Sequence, residues 1–470
     1  MGNQVNTIMK RIPLVLACGL MSAQSYAGND AMDESDKGKV EAELKAMHIF
    51  DADSNGYDPS SGTSYLVKLK YVTPQWNKAR LGIGFYDAGD LLNMTDFGED
   101  VDPTSERTAR GMFVAPNGEE KSLLGEFYVN YTGDNFEINA GRQLYTTPLT
   151  DITYSTMPNF HTVFGISTTA IQDLKLSFDQ VTQMSFGARA ATDYALIGEG
   201  TRTAGASFLP VEEHPSGVGL EQAKFYDISI VALGEAAADD TNGISVLGAT
   251  YTGLKGASLS AWDYYAEDVS NTFYAEADYG MPVGGFKLKL SAQYMKQNDN
   301  GNLVDDANFR GFEDGIDYSL VGLKAMLKGG KWMAFAAYNK SSGDTGMFNS
   351  WGGDPAYTSS IFSRNAYREN VSAYKIGVKY NILKNFFVML SHADYGQSDT
   401  VGTLPTTGGI PLGAVTAQTD AKETDLVFVY MPMKKLMLKL FHANRTSEYD
   451  GFNGAELTQA HTRLVASYKF

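Results

Sequence analysis

The last nine residues of the chain restrict its fold more than any other segment. Residues 462–470 read TRLVASYKF, and two sets of side chains alternate there: Leu464, Ala466, Tyr468 and Phe470 against Arg463, Ser467 and Lys469. A repeat of two residues is that of a β-strand with one apolar and one polar face. The segment therefore predicts a strand that runs to the final residue of the chain.

This ending also suggests where the protein is placed. An aromatic C-terminal residue, preceded by apolar residues at alternate positions, is similar to the signal with which outer-membrane proteins are handed to the barrel-assembly machinery. We expect Tyr468 and Phe470 to carry that membrane-insertion signal. The alternative is the terminal strand of a soluble sandwich, which would turn its charged face toward bulk water.

The same alternation recurs along the chain, in residues 286–294, 374–380 and 436–440. In each segment lysines lie on one side and aliphatic or aromatic residues on the other. A wide β-barrel places the charged side in a wet lumen and the apolar side in lipid, with aromatic residues at both membrane interfaces. The repetition favours this barrel over a sandwich.

The N-terminus has the pattern of a secretory signal peptide. Lys10 and Arg11 precede an apolar run over 12–21, and Ser25-Tyr26-Ala27 supplies small residues for cleavage after Ala27. Cys18, the only cysteine, permits the alternative of lipoprotein processing. No later segment has the ~18–20 apolar residues of a spanning helix. We predict a signal peptide over 1–27, a short periplasmic segment over 28–38 and one barrel over 39–470.

Turn residues between alternating segments divide the body into eighteen strands, an even number as expected for a bacterial barrel with both termini in the periplasm. The predicted strands are 39–51, 65–72, 79–87, 122–131, 135–142, 161–168, 172–180, 244–252, 257–265, 272–280, 285–295, 317–328, 331–340, 371–381, 385–394, 422–431, 435–445 and 460–470. Residues 225–233 also resemble a strand, but counting them would break the regular exchange of short turns and long loops. We place them in an external loop over about 181–243.

The predicted fold is therefore all-β: a transmembrane antiparallel β-barrel of eighteen strands. A sheet of this width is too wide for side chains to fill, so its lumen holds water. The short 28–38 segment leaves no room for an N-terminal plug domain. These features favour a passive channel for small hydrophilic solutes.

Several stretches resemble the OprD family of outer-membrane porins. They are GRQLYTTP at 141–148 with STMPN at 155–159, YYAEDV at 264–269 with TFYAEADY at 272–279, GGD at 352–354 with SSIF at 359–362, and ETDL at 423–426. Their order covers nearly the whole mature chain. The resemblance implies an inward-folded external loop that forms a constriction, and a monomeric or trimeric channel in the outer membrane of a Gram-negative bacterium. It also implies some selectivity, in several members for carboxylate-bearing molecules through basic residues on the wall.

Candidate functional residues follow from this channel. We expect the constriction to involve Arg142, Tyr145, Asp151, Tyr154 and Asp354, with Arg142 opposed by the negative charge of Asp354. The strand pattern would turn Arg142 toward lipid unless a bulge at Gly141 turns it inward, so an interface position is the alternative. A basic lumen wall is predicted from lysines and an arginine at inward positions: Lys175, Lys287, Lys289, Lys324, Lys375, Lys379, Lys439 and Arg463.

Other functions find less support in the sequence. None of the six histidines stands in a nucleophile motif or at metal-ligand spacing, so we predict no enzyme, metal or cofactor. An adhesin or purely structural barrel remains the alternative. The net charge of −17 is concentrated in predicted external loops, for example at Asp96, Glu99 and Asp100, where carboxylates hydrate the loops or bind cations that bridge to lipopolysaccharide. We expect membrane lipid and solutes as partners, and no nucleic acid.

Overall fold

A computed structural model describes residues 37–51, 60–92, 120–150, 156–185, 223–233, 241–301, 315–348, 353–361, 363, 365–398, 401–404, 414–449 and 456–470. Eighteen long strands form one antiparallel sheet in which each strand pairs with the next along the chain. The first strand also pairs with the last, which closes the sheet into a barrel. The predicted closed barrel of eighteen strands is confirmed.

The strands are numbered in chain order. Their bounds are β1 Lys39–Asp51, β2 Ser60–Val72, β3 Ala79–Asp90, β4 Lys121–Thr132, β5 Phe136–Gln143, β6 Phe160–Ile171, β7 Leu174–Ser185, β8 Ile244–Tyr251, β9 Ala257–Ala266, β10 Ser270–Val283, β11 Phe286–Asp299, β12 Asp317–Gly329, β13 Trp332–Gly343, β14 Ser372–Leu383, β15 Phe386–Asp394, β16 Ala414–Met433, β17 Leu436–Tyr449 and β18 Glu456–Lys469. Each predicted strand overlaps one of these. The principal difference is length, since the strands extend further at the end that carries the long loops.

The two ends of the barrel differ in the length of their connections. At one end, called the turn end, connections are as short as residues 284–285. The first strand begins there, and the last strand ends there. At the other end, called the loop end, connections include 91–120, 144–159 and 344–371. Long loops and short turns on opposite rims are typical of outer-membrane barrels with periplasmic termini.

Large apolar side chains cover the outer face of the sheet. Leu323, for instance, is 63% exposed although it lies in the middle of β12. Aromatic side chains lie near both ends, with Trp332 and Tyr380 in contact at the turn end and Phe273 and Tyr294 in contact at the loop end. No helix among the described residues is long and apolar enough to cross a membrane.

The segment 225–233 is not a wall strand. Phe225–Asp227 forms only a three-residue pairing with residues 183–185 of β7, and Ile228–Leu233 forms a single short helix. The strand β7 pairs instead along its length with β8. The segment is not a freely solvated loop, however, because Ile228 and Val231 are fully buried. A second short strand, Val401–Leu404, lies at the loop end and pairs with residues 414–417, the first residues of β16.

The inside of the barrel is apolar on one side, near the loop end. Inward residues of β6 to β12 form a buried cluster with residues of five connecting segments, including Leu149, Ile228 and Phe348. This differs from the uniformly wet lumen that the alternating pattern predicts. The reason is that apolar side chains occupy inward positions there, such as Val181 and Val246, and the connecting segments pack on them.

Candidate functional site in the lumen

The connection over residues 144–159 folds against the inner wall on two sides. Near its start, the phenol of Tyr145 donates a 3.0 Å hydrogen bond to Oδ2 of Asp179 in β7. Near its end, the carbonyl of Thr156 accepts a 2.8 Å hydrogen bond from Nζ of Lys45 in β1, and its hydroxyl lies 3.0 Å from that of Ser64 in β2. These anchors lie on different parts of the wall, so the connection packs on the inside of the barrel at both of its described ends, residues 144–150 and 156–159. We call it the first inward loop.

A second inward loop, residues 344–371, is held by buried amides of the wall. Asn339 Oδ1 accepts hydrogen bonds from the backbone N–H of Thr358 at 2.9 Å and from its hydroxyl at 3.1 Å. Gln293 accepts from the N–H of Tyr357 at 3.1 Å and donates to the carbonyl of Pro355 at 3.0 Å. An amide side chain both donates and accepts, so it can bind an irregular backbone much as a neighbouring strand would.

Charged groups hold the rest of the second inward loop. Lys375 Nζ donates to the carbonyl of Ser359 at 2.8 Å and to the hydroxyl of Ser360 at 3.0 Å. The carboxylate of Glu423 accepts from the N–H of Ser363 at 2.6 Å. Hydrogen bonds to charged groups are stronger than neutral ones, and these are buried. The loop is therefore fixed to β14 and β16 as well as to β11 and β13.

The two inward loops touch each other. The N–H of Gly353 donates a 2.8 Å hydrogen bond to the carbonyl of Leu149. A Cβ at position 353 would lie 2.3 to 2.7 Å from the backbone of Leu149, so only glycine fits this contact. The two inward loops, anchored on different strands of the wall, are therefore in direct contact inside the barrel.

We predict that Gly353→Val separates the two loops and raises single-channel conductance about twofold or more, since a wider passage carries more current. The matched control is Gly285→Val, at a turn where a Cβ would meet nothing within 4 Å. Planar-bilayer recordings of both variants check this. Equal conductance in Gly353→Val and the native protein would show that the contact does not limit flow.

Of the residues predicted for the constriction, Tyr145 and Asp354 lie in the inward loops. Burial, and then the Asp179 carboxylate, raise the pKa of the Tyr145 phenol well above its usual range, so it stays a neutral donor. Asp354 uses its carboxylate within its own loop, accepting from the N–H of Ala356 at 3.0 Å and the hydroxyl of Ser359 at 2.6 Å. Asp151 and Tyr154 lie outside the described residues.

Arg142 remains in register with the outward residues around it. The pairing of β4 with β5 continues without a shift past Gly141, so the bulge considered there is absent, although the φ of Gly141 is +123°. Arg142 lies directly opposite Phe127, which is exposed on the outer face, and its guanidinium carbon is 4.2 Å from the ring centre of Phe225. The register favours the interface alternative, but Phe225 itself packs against the buried cluster of Tyr86 and Phe160, so a role of Arg142 in the constriction stays a prediction.

The substitution Arg142→Glu distinguishes these positions. With Arg142 at the outer interface, we expect the reversal potential in a salt gradient to stay within about 5 mV of the native value, because a charge outside the lumen is screened from its ions. Bilayer recordings provide the measurement. A clear shift toward cation selectivity would instead place Arg142 in the constriction.

The eight residues predicted for a basic wall all have inward register positions, but they differ in what they contact. Lys175, Lys287 and Lys289 are exposed, Lys324, Lys379 and Lys439 are partly buried, and Lys375 and Arg463 are buried. Lys375 is a loop anchor, and the Arg463 guanidinium lies 4.7 Å from the ring centre of Phe441. The exposed and partly buried lysines are therefore the ones available to passing solutes.

Sequence reasoning did not identify the acidic groups that face these lysines. Glu276 accepts from the phenol of Tyr357 at 2.8 Å, and the Lys324 ammonium lies 5.2 Å from the ring centre of the same tyrosine. Asp278 forms a 3.0 Å ion pair with Lys289. The sequence did contain a signal for them, since Glu276 and Asp278 occupy alternate, inward positions in the segment 272–279. Within the described ranges no group of His, Cys, Asp and Glu side chains could hold a metal.

Solved structures with the same architecture come from porins. The chain is similar to OccK9 (OpdG) of Pseudomonas aeruginosa, with a TM-score of 0.66 and 14% identity over 92% of this chain and 98% of that one. It is also similar to OpdK of P. aeruginosa with vanillate (TM-score 0.62, 15% identity) and to OccK2 (OpdF) of P. aeruginosa with glucuronate (TM-score 0.60, 14% identity), each over 92% of this chain and 98% of the other. No curated protein matches significantly.

The family assignment rests on the sequence of the second half. Residues 219–470, more than half of the chain, match the model of outer membrane porins of the OprD family. This agrees with the closed barrel, its inward loops and the resemblance noted from the sequence. The chain therefore belongs to the OprD family of outer membrane porins.

Proposed function

We propose that this porin passes small carboxylate-bearing solutes, and that Lys324 is the side chain that guides them past the second inward loop. The supporting observation is the group formed by Lys324, Tyr357 and Glu276. Burial, and then the hydrogen bond to Glu276, raise the pKa of the Tyr357 phenol above its usual range, so the phenol stays a neutral donor. A cation beside a neutral aromatic surface suits a flat or ring-shaped carboxylate, which can contact both.

Opposite charges at the same height in the lumen would orient a dipolar solute as it passes. Lys324 and Lys289 lie on β12 and β11, while Glu276 and Asp278 lie on the neighbouring β10. A low-dielectric passage makes such charges count more than they would in bulk water. The solute would turn its carboxylate toward the lysines and its hydroxyl or ammonium groups toward the acids.

Two porins of the same architecture were solved with molecules of this class. Vanillate is bound to OpdK and glucuronate to OccK2 (OpdF), and both are ring-shaped carboxylates. At 14–15% identity these structures establish the fold, so the solute of this chain is our inference from its own lumen. A closed barrel gives each chain a complete lumen, which fits a channel that works as a monomer or within a homotrimer. We expect Tyr468 and Phe470 to guide its insertion by the barrel-assembly machinery.

The test is a comparison of solute fluxes in proteoliposomes. We expect glucuronate to enter several times faster than glucose, which has similar size and no carboxylate, because a fixed cation raises the local concentration of anions. Lys324→Met should remove most of this preference, while Lys331→Met, in a turn at the rim, should preserve it. Equal fluxes of the two sugars through the native protein would contradict the proposal.

A further inference from the structure

Three histidines on the outer face of the barrel repeat one contact. The Nδ1 atoms of His392, His442 and His48 lie 2.8, 2.9 and 2.8 Å from the hydroxyls of Thr424, Thr462 and Thr63, respectively. Each pair bridges one strand and the next, across β15–β16, β17–β18 and β1–β2. The outer face is otherwise rich in apolar residues, so three identical polar pairs on every second strand pair around the closure of the barrel require an explanation.

The strand tilt sets the level of these pairs along the barrel axis. Strands in a barrel are inclined, so a row of directly opposite residues climbs as it passes from strand to strand. Here one row starts at Leu436, beside the turn at 434–435, and reaches Leu44, well inside β1, two strands later. Passing from β15 to β2, the rows therefore climb toward the loop end.

Each successive histidine is displaced toward the turn end relative to the row of the previous one. Asn444 shares a row with His392, and His442 lies two residues nearer the turn end than Asn444. Phe50 shares a row with His442, and His48 again lies two residues nearer the turn end than Phe50. Each shift of two residues toward the turn end offsets the rise of the rows toward the loop end. The three histidine–threonine pairs therefore lie at about the same height along the barrel axis, where they form a polar belt toward the loop end.

An apolar groove of about 480 Å³ begins at this belt. Ala46 and Ala466 lie directly opposite each other in it, and the larger Leu438 lies across from Ala466 on the other side. His48 and Thr63 line one end of the groove, and the rest of its lining is apolar except for Tyr430 and Lys439. The groove crosses the contact between β18 and β1, where the barrel closes.

We propose that this groove binds one acyl chain of an outer-leaflet lipid A molecule, with the phosphorylated headgroup held at the histidine–threonine belt. The polarity of the site matches that of the lipid, since its polar end lies toward the loop end and its apolar part toward the middle of the membrane. Each threonine engages Nδ1, so Nε2 is not used in the pair and can serve a phosphate oxygen. The concave shape fits a chain-like occupant, whereas a second barrel would present a broad convex face.

The experiment is native mass spectrometry of the folded protein in detergent after incubation with purified lipid A. We expect a one-to-one complex in the native protein. Ala46→Phe should reduce the bound fraction roughly tenfold, because the ring occupies the groove. The double variant His48→Ala and His442→Ala should reduce it roughly three- to tenfold through lost headgroup contacts. Ala292→Phe, at an exposed outward position on β11, is the matched control and should bind as the native protein does.

Retained conductance shows that each variant is folded, and the remaining outcomes overturn the proposal. Equal lipid binding by Ala46→Phe and Ala292→Phe would exclude the groove. Equal binding of phosphatidylglycerol and lipid A would show that any acyl lipid fills it. A dimer of the chain that Ala46→Phe dissociates would assign the groove to a second copy.

Discussion

Replacing Lys324 by Glu is expected to turn the channel from an anion-preferring to a cation-preferring one, with a change of roughly tenfold or more in the permeability ratio. The native ammonium lies over the Tyr357 ring, close to Glu276, where the second inward loop borders the passage. A reversed charge there would join the acids already present, Glu276 and Asp278, and leave Lys289, which is paired with Asp278, as the neighbouring cation. The reversal potential of single channels in a salt gradient measures the effect.

The control for this prediction is Lys331→Glu, which makes the same charge change in a turn at the rim. Its ammonium contacts the carbonyl of Ile382 at 3.3 Å and lies outside the lumen. We expect it to leave the reversal potential almost unchanged. If both variants shift the potential equally, selectivity arises from overall charge and the role given to Lys324 is wrong.

Replacing Asn339 by Leu is expected to release the second inward loop and raise mean conductance severalfold, with strongly increased current noise. Asn339 is fully buried and accepts two hydrogen bonds from Thr358. An apolar residue of similar size would leave the N–H of Thr358 without its acceptor, a cost of about 1–3 kcal/mol. A loop that leaves the wall opens the lumen that it covers.

Asn385→Leu is the matched control, because Asn385 also hydrogen-bonds a backbone group, the carbonyl of Met431 at 2.9 Å, but at the turn end. We expect native conductance and noise from it. Heat-modifiable migration on gels would confirm that both variants are closed barrels. A quiet Asn339→Leu channel of native conductance would mean that the remaining anchors, among them Gln293, Lys375 and Glu423, hold the loop without Asn339.

Alternation of side chains was sufficient to predict the barrel, because each strand is stabilised by two different environments on its two faces. The end of the chain illustrates this: Leu464 is exposed outward and Arg463 is buried inward, as the pattern of residues 462–470 requires. Residues 225–233 were kept out of the wall by the lengths of neighbouring connections, which reflect the topology of a closed sheet. The signal peptide predicted over 1–27 lies outside the described residues and stays a prediction.

The site was less accessible to sequence reasoning because its loops bind through contacts distant along the chain. Lys375 has the same alternating position as Lys379, yet only Lys375 meets a loop backbone, a difference that register alone does not show. The apolar cluster inside the barrel has a visible signal, since Val181 and Val246 break the polar inward pattern near the loop end. Arg142 shows the opposite case, in which the simple pattern described the register correctly and the expected bulge is absent.

The pairing of β1 with β18 sets the order in which this protein can assemble. Ser467 donates to Glu43 at 2.7 Å, and the N–H of Phe470 donates to the carbonyl of Ala42 at 2.9 Å, so the ends of the chain meet across more than four hundred residues of sequence. Contacts of such separation form late, because the entropy of closing the chain must be paid before they stabilise anything. Until β18 is in place, one edge of β1 remains unpaired and the sheet stays open. A chain that lacks only its final strand therefore cannot form the pairing that closes this barrel, so closure depends on the complete chain.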